Sequence, residues 1–366
     1  MVEYKRDLPI TNEYGFYEMR LESIGGLGAN LSGKILGEIG ALALGLNSSS
    51  FASYGSEKKG TPIKSFIRWC AADQTIGVIT PVEKPHILAI FHEALAGKVA
   101  VTAGVDENTV VIVNTDKSPD EIRNLLKLCG GTIYCVDALK IAMEEKTRIN
   151  MVILGTIAKA SGFIPLEATK QVVRDTIGRK YPSSLEGNLR GIERGYEEIV
   201  QKHFERSEEY PYIPYKDVEY EWGFENAPLG GINPLFASMA NNDMTASREG
   251  KVPVFHVEKC INCGLCDITC PEMALVFGEG EYKGKQQMVN EGVNYHYCKG
   301  CLRCVEICPT DALTEANERE LDVWAVHVPY KDFIQNHVEF EDMGSNSIVD
   351  AESGVTTNTI TIEGEE

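Results

Sequence analysis

The sequence has 366 residues, room for two or three domains at roughly 100–200 residues each. Hydrophobic residues make up 43% and charged residues 24%, as in an ordinary globular protein, but 35 Lys and Arg against 54 Asp and Glu leave a net charge of −19. A surface this acidic repels phosphate and argues against nucleic acid and anionic membrane as partners, and no apolar run approaches the roughly 20 residues of a spanning helix. The opening MVEYKRDLPITNEYGFYEM has no apolar stretch and no small-residue cleavage site, so no secretory signal is expected.

In chain order, FYEMRLESI (16–24) reads as a strand that ends in Gly25-Gly26-Leu27-Gly28. A helix is expected next, with Leu31, Ile35 and Ile39 about a turn apart on a buried stripe. The polar loop 53–62, SYGSEKKGTP, carries Lys58 and Lys59 and precedes a strand over 63–69. IGVIT (76–80), ILAIF (87–91), VVIVN (110–114) and TIYCV (132–136) are short β-rich runs. Ser118 can cap the helix SPDEIRNLLKL, with Pro119 at its first position and Asp120 and Glu121 favouring the first turn. Asn150-Met151-Val152-Ile153-Leu154-Gly155 opens an apolar helix, and 166–178 and 186–201 read as surface helices. Strands spaced by helices predict an α/β domain over 1–202, its mainly parallel sheet covered on both faces.

The alternation stops near 202, and 203–250 reads as a connector rich in Tyr, Pro, Gly and acid. Its tyrosines and Trp222 suit contact with another surface, unlike a flexible Gly/Ser linker. A small α+β ferredoxin-like domain is expected over 251–316. The extension 317–366 follows; its last 30 residues hold eight acids and no Lys or Arg, so it is solvated or docked on a partner.

Eight of the 11 cysteines lie between Cys260 and Cys308, while Cys70, Cys129 and Cys135 stand apart and read as buried free thiols. An odd total crowded into one segment argues against a disulfide framework and for metal in a reducing compartment. Cys260-Ile-Asn-Cys263-Gly-Leu-Cys266-Asp-Ile-Thr-Cys270-Pro271 and Cys298-Lys-Gly-Cys301-Leu-Arg-Cys304-Val-Glu-Ile-Cys308-Pro309 are one motif repeated 38 residues apart. Both fit C-x₂-C-x₂-C-x₃-C-P, in which three close thiolates hold one iron–sulfur cube and the fourth reaches the other. Cys260, Cys263, Cys266 and Cys308 are therefore assigned to one 4Fe–4S cluster, and Cys298, Cys301, Cys304 and Cys270 to a second. Zinc ribbons need only C-x₂-C pairs and no repeated Cys-Pro. Pro271 and Pro309 end short helical turns, and Gly264 and Gly300 let backbone approach inorganic sulfur. His296, two residues before Cys298, reads as a packing residue because Cys fills every ligand position. The segment resembles bacterial two-cluster ferredoxins, which implies that it moves single electrons.

The glycine turn 25–28 lacks the full G-x-G-x-x-G pattern, so strand-to-helix packing and phosphate contact are equally open. The basic loop beside it, with Lys34 on the following helix, is a candidate anion site in an otherwise acidic chain. The run of GGLGA…GKILGE, SYGSEKKGTPIKSFIR, TRINMVILG and EGNLRGIERGYE resembles the gamma subunit of 2-oxoacid:ferredoxin oxidoreductases, the pyruvate:ferredoxin oxidoreductase or pyruvate synthase family. TASREGKVPVFHVEKCINCGLCDITCPEMAL…NYHYCKGCLRCVEICPTDAL resembles their delta subunit. Together the two stretches cover about 16–200 and 228–325, and the chain resembles a fused gamma–delta subunit.

The resemblance implies alpha and beta partner subunits in a cytoplasmic hetero-oligomer, holding thiamine diphosphate, Mg²⁺ and a third 4Fe–4S cluster. It implies oxidative decarboxylation of a 2-oxoacid, pyruvate before others, with coenzyme A taking the acyl group and an external ferredoxin taking the electrons. No thiamine diphosphate motif stands in this chain, so no catalytic residue is expected here. Lys34, Lys58 and Lys59 match basic positions near the coenzyme A phosphates, and Arg148, Asn150 and Asn188 match polar positions of the same domain. Ser56-Glu57-Lys58-Lys59-Gly60 departs from the P-E-R-R-G of many gamma subunits, keeping charge without a bidentate guanidinium. The alternatives are an oxalate-type subunit that uses no coenzyme A and a stand-alone ferredoxin-like carrier fused to an assembly domain. Replacing Lys58 and Lys59 by Ala is expected to raise the coenzyme A concentration needed for turnover while iron content stays constant. Steady-state kinetics with iron analysis checks this, and an unchanged coenzyme A dependence would remove both lysines from the site.

Overall fold

The computed structural model describes residues 4–54, 61–96, 100–215 and 244–330. Lys58 and Lys59, the middle of the connector and most of the acidic extension lie outside the described residues. The N-terminal part is built from β1 (Tyr17–Ile24), α1 (Ala29–Glu38), β2 (Asn47–Tyr54), β3 (Pro62–Cys70), β4 (Ile87–Ile90), β5 (Val110–Asn114), α2 (Pro119–Leu126), β6 (Gly131–Val136), α3 (Ala138–Glu144), α4 (Ile149–Ser161), α5 (Leu166–Asp175), α6 (Ile177–Lys180), α7 (Leu185–Glu197) and β7 (Val200–Phe204). Its seven strands lie in the order β2-β3-β1-β4-β5-β6-β7. β1, β4, β5 and β6 form the parallel core, and β3 on β1, β2 on β3 and β7 on β6 add antiparallel edges. The short central strands are buried almost throughout, as helix-covered parallel strands require.

The start of α2 follows from local chemistry. Ser118 Oγ accepts from the Glu121 backbone N–H, the Glu121 carboxylate accepts from the Ser118 N–H, and Pro119 stands at the first helical position. Such a capping box stabilises a helix by about 1 kcal/mol. In α1, Ile35 is buried as its spacing predicts, and Ile39 is buried in the π turn Ile39–Ala43 that follows. Leu31 is 36% exposed and does not join that stripe. The helix expected over 186–201 ends at Glu197, and the chain turns into β7.

β1 alternates apolar residues with Glu18, Arg20 and Glu22, yet both faces are buried. Arg20 Nη1 donates to the carbonyls of Val82 (3.0 Å) and Glu83 (3.3 Å), and Nη2 to those of Val101 (2.8 Å) and Ala103 (2.7 Å). Arg68 donates to Glu18 at 2.5 Å and to the carbonyls of Thr80 and Pro81. These guanidinium groups explain why IGVIT at 76–80 is not a strand. The carbonyls at its end and just beyond it, from Thr80 to Glu83, are bound by arginine side chains, prolines 81 and 85 interrupt any ladder, and Val78 and Ile79 remain exposed. From the connector, Tyr210 donates to Asn124, and the Tyr215 ring lies 5.2 Å from the Arg20 guanidinium carbon. This stretch thus lies on the α/β domain.

The cysteine-rich part contains β8 (Lys251–Phe255), α8 (Leu265–Thr269), β9 (Leu275–Tyr282), β10 (Lys285–Val293), α9 (Arg303–Ile307) and β11 (Leu313–Asn317). β8 pairs antiparallel with β11, β9 with β10, and α8 packs on α9. Its hydrophobic cluster, including Val252, Leu275, Tyr295 and Leu313, is separate from that of the sheet domain. No helix among the described residues is long and apolar enough to cross a membrane. Arg20→Met is expected to cost about 3–5 kcal/mol, because it leaves three buried carbonyls and the half-buried Glu83 carbonyl without their donor, and leaves buried Glu22 with Lys64 as its only cation among the described residues. Denaturant unfolding measures this, and a loss below about 1 kcal/mol would show that the guanidinium does not hold segments 80–83 and 101–103.

Candidate functional site

Each half of the cysteine repeat makes the same backbone excursion. Asn262 and Gly264 in the first half, and Gly300 and Leu302 in the second, occupy left-handed conformations at equivalent places. Met273 and Asp311, each 13 residues after the first cysteine of its half, do the same. Left-handed residues turn the chain tightly, so each loop wraps one point and sends its fourth cysteine away from it. α8 and α9 end at Thr269 and Ile307, just before the Cys-Pro pairs, because proline cannot continue them.

The consequence is two cavities, each of about 350 Å³ including space open to solvent. Cys260, Cys263, Cys266 and Cys308 line the first. Cys270, Cys298, Cys301 and Cys304 line the second. The structure thus brings together the two groups of four that the spacing predicts, with each fourth cysteine on the other half's cavity. His296 lines neither cavity and stands edge-on to the Tyr297 ring, 4.8 Å between centroids.

Burial pushes the Cys266 and Cys298 thiols up to about 11 and the Cys304 thiol up to about 12, and neighbouring cysteines add to each rise. Cys304 feels Cys266 of the other cavity as well as its own neighbours. Burial also raises Cys308, but the backbone N–H groups of Thr310, Leu313 and Ala312 outweigh it and hold that thiol below the ordinary range. Four thiolates crowded in one cavity need cationic metal between them, and ligation must displace their protons. Thiolates at the corners of a cavity are the donor set of a 4Fe–4S cube, so the residues fit that group.

Two contributors were not legible in the spacing. Asn290 on β10 donates through Nδ2 to Cys266 Sγ at 3.4 Å, and the backbone N–H of Asn262 points to Cys260 Sγ at the same distance. Arg248, 3% exposed, lies beside Gly300 in the second loop. Neither Asn290 nor Arg248 is part of the cysteine motif, and only folding places them beside it. Cys70, Cys129 and Cys135 are buried free thiols, as expected, and burial pushes Cys135 up to about 12.

The second candidate site lies where β1 runs into α1. Gly28 caps α1 at φ +89°, and a Cβ there would stand 2.8 Å from Cγ of Asn150. Asn150 is fully buried in the first turn of α4, and neither atom of its side-chain amide has a hydrogen-bond partner. Gly25 N–H donates to the Thr61 carbonyl at 2.9 Å, which ties the glycine turn to the end of the basic loop. Asn188 on α7 is buried and accepts from Thr147 Oγ1 at 2.6 Å. Arg148 stands at the N-cap of α4, largely exposed and 3.3 Å from Glu249, while Lys34 is exposed on α1. Asn150, Arg148 and Asn188 thus gather around the N-terminal end of α4, with Lys34 on the neighbouring helix.

Residues 18–198 match the family described as pyruvate ferredoxin/flavodoxin oxidoreductase, and residues 259–312 match the 4Fe-4S dicluster domain. The chain is 32% identical over 195 residues to pyruvate synthase subunit PorC of Thermotoga maritima, covering 52% of this chain and 98% of that one. It is 32% identical over 186 residues to the pyruvate/ketoisovalerate oxidoreductases common subunit gamma of Thermococcus kodakarensis, covering 50% and 97%. It is also 30% identical over 192 residues to the NADH-dependent phenylglyoxylate dehydrogenase subunit gamma of Aromatoleum evansii, covering 52% and 97%.

The loops around the two cavities should respond differently to one methyl group. A Cβ on Gly300 would meet the Lys251 carbonyl oxygen at 2.3 Å, whereas one on Gly264 meets nothing within 4 Å. Gly264→Ala should therefore cost only the left-handed backbone term of about 1–2 kcal/mol, and Gly300→Ala a further 1–3 kcal/mol. Thermal unfolding of the two variants measures the difference, and equal midpoints would contradict the tight contact at Gly300.

Proposed function

The chain belongs to the pyruvate ferredoxin/flavodoxin oxidoreductase family, and from that premise we propose that it is a fused gamma–delta chain that carries electrons for a thiamine-diphosphate-dependent oxidation of pyruvate. That it is a subunit of a pyruvate/2-oxoacid:ferredoxin oxidoreductase with a 4Fe–4S domain follows from the two matched segments. The observation that carries the electron-transfer reading is the pair of adjacent four-cysteine cavities.

In this reading Cys260, Cys263, Cys266 and Cys308 hold one 4Fe–4S cluster, and Cys298, Cys301, Cys304 and Cys270 hold the other. When bound, such clusters take up and release one electron at a time. The chain's own residues fix the sulfur positions, exclude water with Phe255, Phe277 and Leu275, and donate hydrogen bonds to sulfur from Asn290 and Asn262. Thiamine diphosphate, Mg²⁺ and a third cluster belong to alpha and beta partner chains, and an external ferredoxin is the electron acceptor. The gamma domain supplies part of a coenzyme A environment. There the unpartnered Asn150 amide under the glycine turn and the N-terminus of α1 suit a phosphate or an amide, and Lys34, Lys58, Lys59, Arg148 and Asn188 stand as contacts. We place the chain in the cytoplasm, where thiols stay reduced. The domain division 1–202, 203–250, 251–316 and 317–366 is part of the same proposal. Relatives of the gamma domain carry the names of pyruvate, ketoisovalerate and phenylglyoxylate enzymes, so the choice of 2-oxoacid rests with the partner chains.

Co-purification under anaerobic conditions should bring alpha and beta chains with this one, and pyruvate with coenzyme A should then bleach the visible absorbance. A lone chain with full cluster content would favour the stand-alone carrier, and bleaching by oxalate without coenzyme A would favour the oxalate-type subunit. Cys266→Ser and Cys304→Ser should each remove about half of the iron this chain carries, since each strikes a different set of four ligands. Intact iron and spectra in either variant would overturn the ligand assignment.

A further inference from the structure

Resting on the reading that the second cavity holds a 4Fe–4S cluster, we propose that Arg248 is a positioning residue that raises the reduction potential of that cluster, with Glu318 opposing it. Arg248 comes just before β8 in sequence and is fully buried at its side chain. Its Cγ lies 3.4 Å from where a Cβ on Gly300 would stand, and Gly300 is between Cys298 and Cys301. Nη2 donates to the Tyr295 carbonyl and to Thr245 Oγ1, both at 2.8 Å, and Nη1 to Glu318 at 2.7 Å. Nε has no hydrogen-bond partner.

The sign of the effect follows from burial. The Arg248 side chain is 0% exposed and that of Glu318 is 22% exposed. Water screens the carboxylate more than the guanidinium, so the pair presents net positive potential to the cavity. A cluster gains negative charge on reduction, and a fixed cation beside it favours the reduced form. Lys299 and Glu272 also line this cavity, but they pair with each other, and Arg303 is exposed. The equivalents of Lys299 and Arg303 in the first loop are Ile261 and Leu265, so no charge stands at those places there. The residues next to the pair reach the other domain. Glu249 meets Arg148 at 3.3 Å, and Arg319 makes two bonds to Asp137, at 2.7 and 2.9 Å.

The test is a redox titration of the full chain, followed by electron paramagnetic resonance, in wild type and in the Cys266→Ser background where the remaining signal belongs to the second set. Arg248→Met should shift the one-electron equilibrium of that cluster about tenfold toward the oxidised form, about 59 mV lower in potential. Glu318→Gln should shift the same cluster in the opposite direction, and Arg248→Lys should keep the wild-type value to within a factor of about three, since it retains the charge. The first cluster should not move in any of these. Shifts of the same sign in Arg248→Met and Glu318→Gln, or no shift in either, would overturn the proposal. Should Arg248→Met fail to hold iron, Glu318→Gln decides alone, and the absence of a rise would overturn it. Failure of the underlying reading shows separately, as full iron retained in Cys304→Ser.

Discussion

The fourth cysteine of each half-motif lines the cavity of the other half, and this crossing governs the whole C-terminal domain. Neither half can complete a set of four thiols alone. The halves must therefore meet, which they do by packing α8 on α9 and pairing β8 with β11. Left-handed residues at the same places in both loops, two inside each cysteine triplet and one after each Cys-Pro, repeat the geometry. Cys298 and Cys304 belong to the hydrophobic core itself, with Cys266, Cys270 and Cys308 packed against it. A domain this small buries too little apolar surface to be strongly stable alone, and metal clusters act as its staples. In the proposed reading the same sulfur atoms serve the fold and the electron path.

Charge is arranged as deliberately as sulfur. The chain is acidic overall, yet its buried charges are neutralised locally. Arg20 lies with Glu22 and Lys64 near it, Arg68 with Glu18, and Arg248 with Glu318. In the first two cases the guanidinium binds backbone carbonyls and holds segments that have no strand of their own. In the third it meets a loop that carries cysteines. The domain junction uses neighbouring residues in alternate directions. Arg248 and Glu318 point into the cysteine-rich domain, while Glu249 and Arg319 reach Arg148 and Asp137 of the sheet domain. Asp137 also caps α3 at the end of β6, so the contact falls at the edge of the parallel strands where ligands of α/β sheets bind.

Legibility varied with how local the controlling physics was. Ser118, Pro119 and Glu121 announce a helix because a capping box needs only residues within one turn. The central strands were legible as unbroken apolar runs. β2, with the sequence NSSSFASY, has no such run and forms because it pairs along its whole length with β3. IGVIT has strand composition but no strand partner, because Arg68 binds the carbonyl of its last residue, Thr80, and Arg20 that of Val82 beyond it. Leu31 fits a buried stripe by spacing, yet the surface it faces is left uncovered.

By itself the sequence determined the type of the C-terminal domain. Eight cysteines in two copies of one spacing are the pattern of a 4Fe-4S dicluster domain, and they are the basis on which two clusters are proposed. It also determined the family, through stretches of sequence that need no coordinates to be compared. Tertiary structure alone decided the electrostatic setting. Arg248, 50 residues from Cys298 in sequence, packs beside Gly300 of the second loop, and Asn290 on β10 reaches Cys266. The Asn150 amide likewise comes to lie under Gly28 only when α4 packs beside α1. The reason is that charge and hydrogen bonding act through space over a few ångströms, and residues far apart along a chain come that close only when it folds.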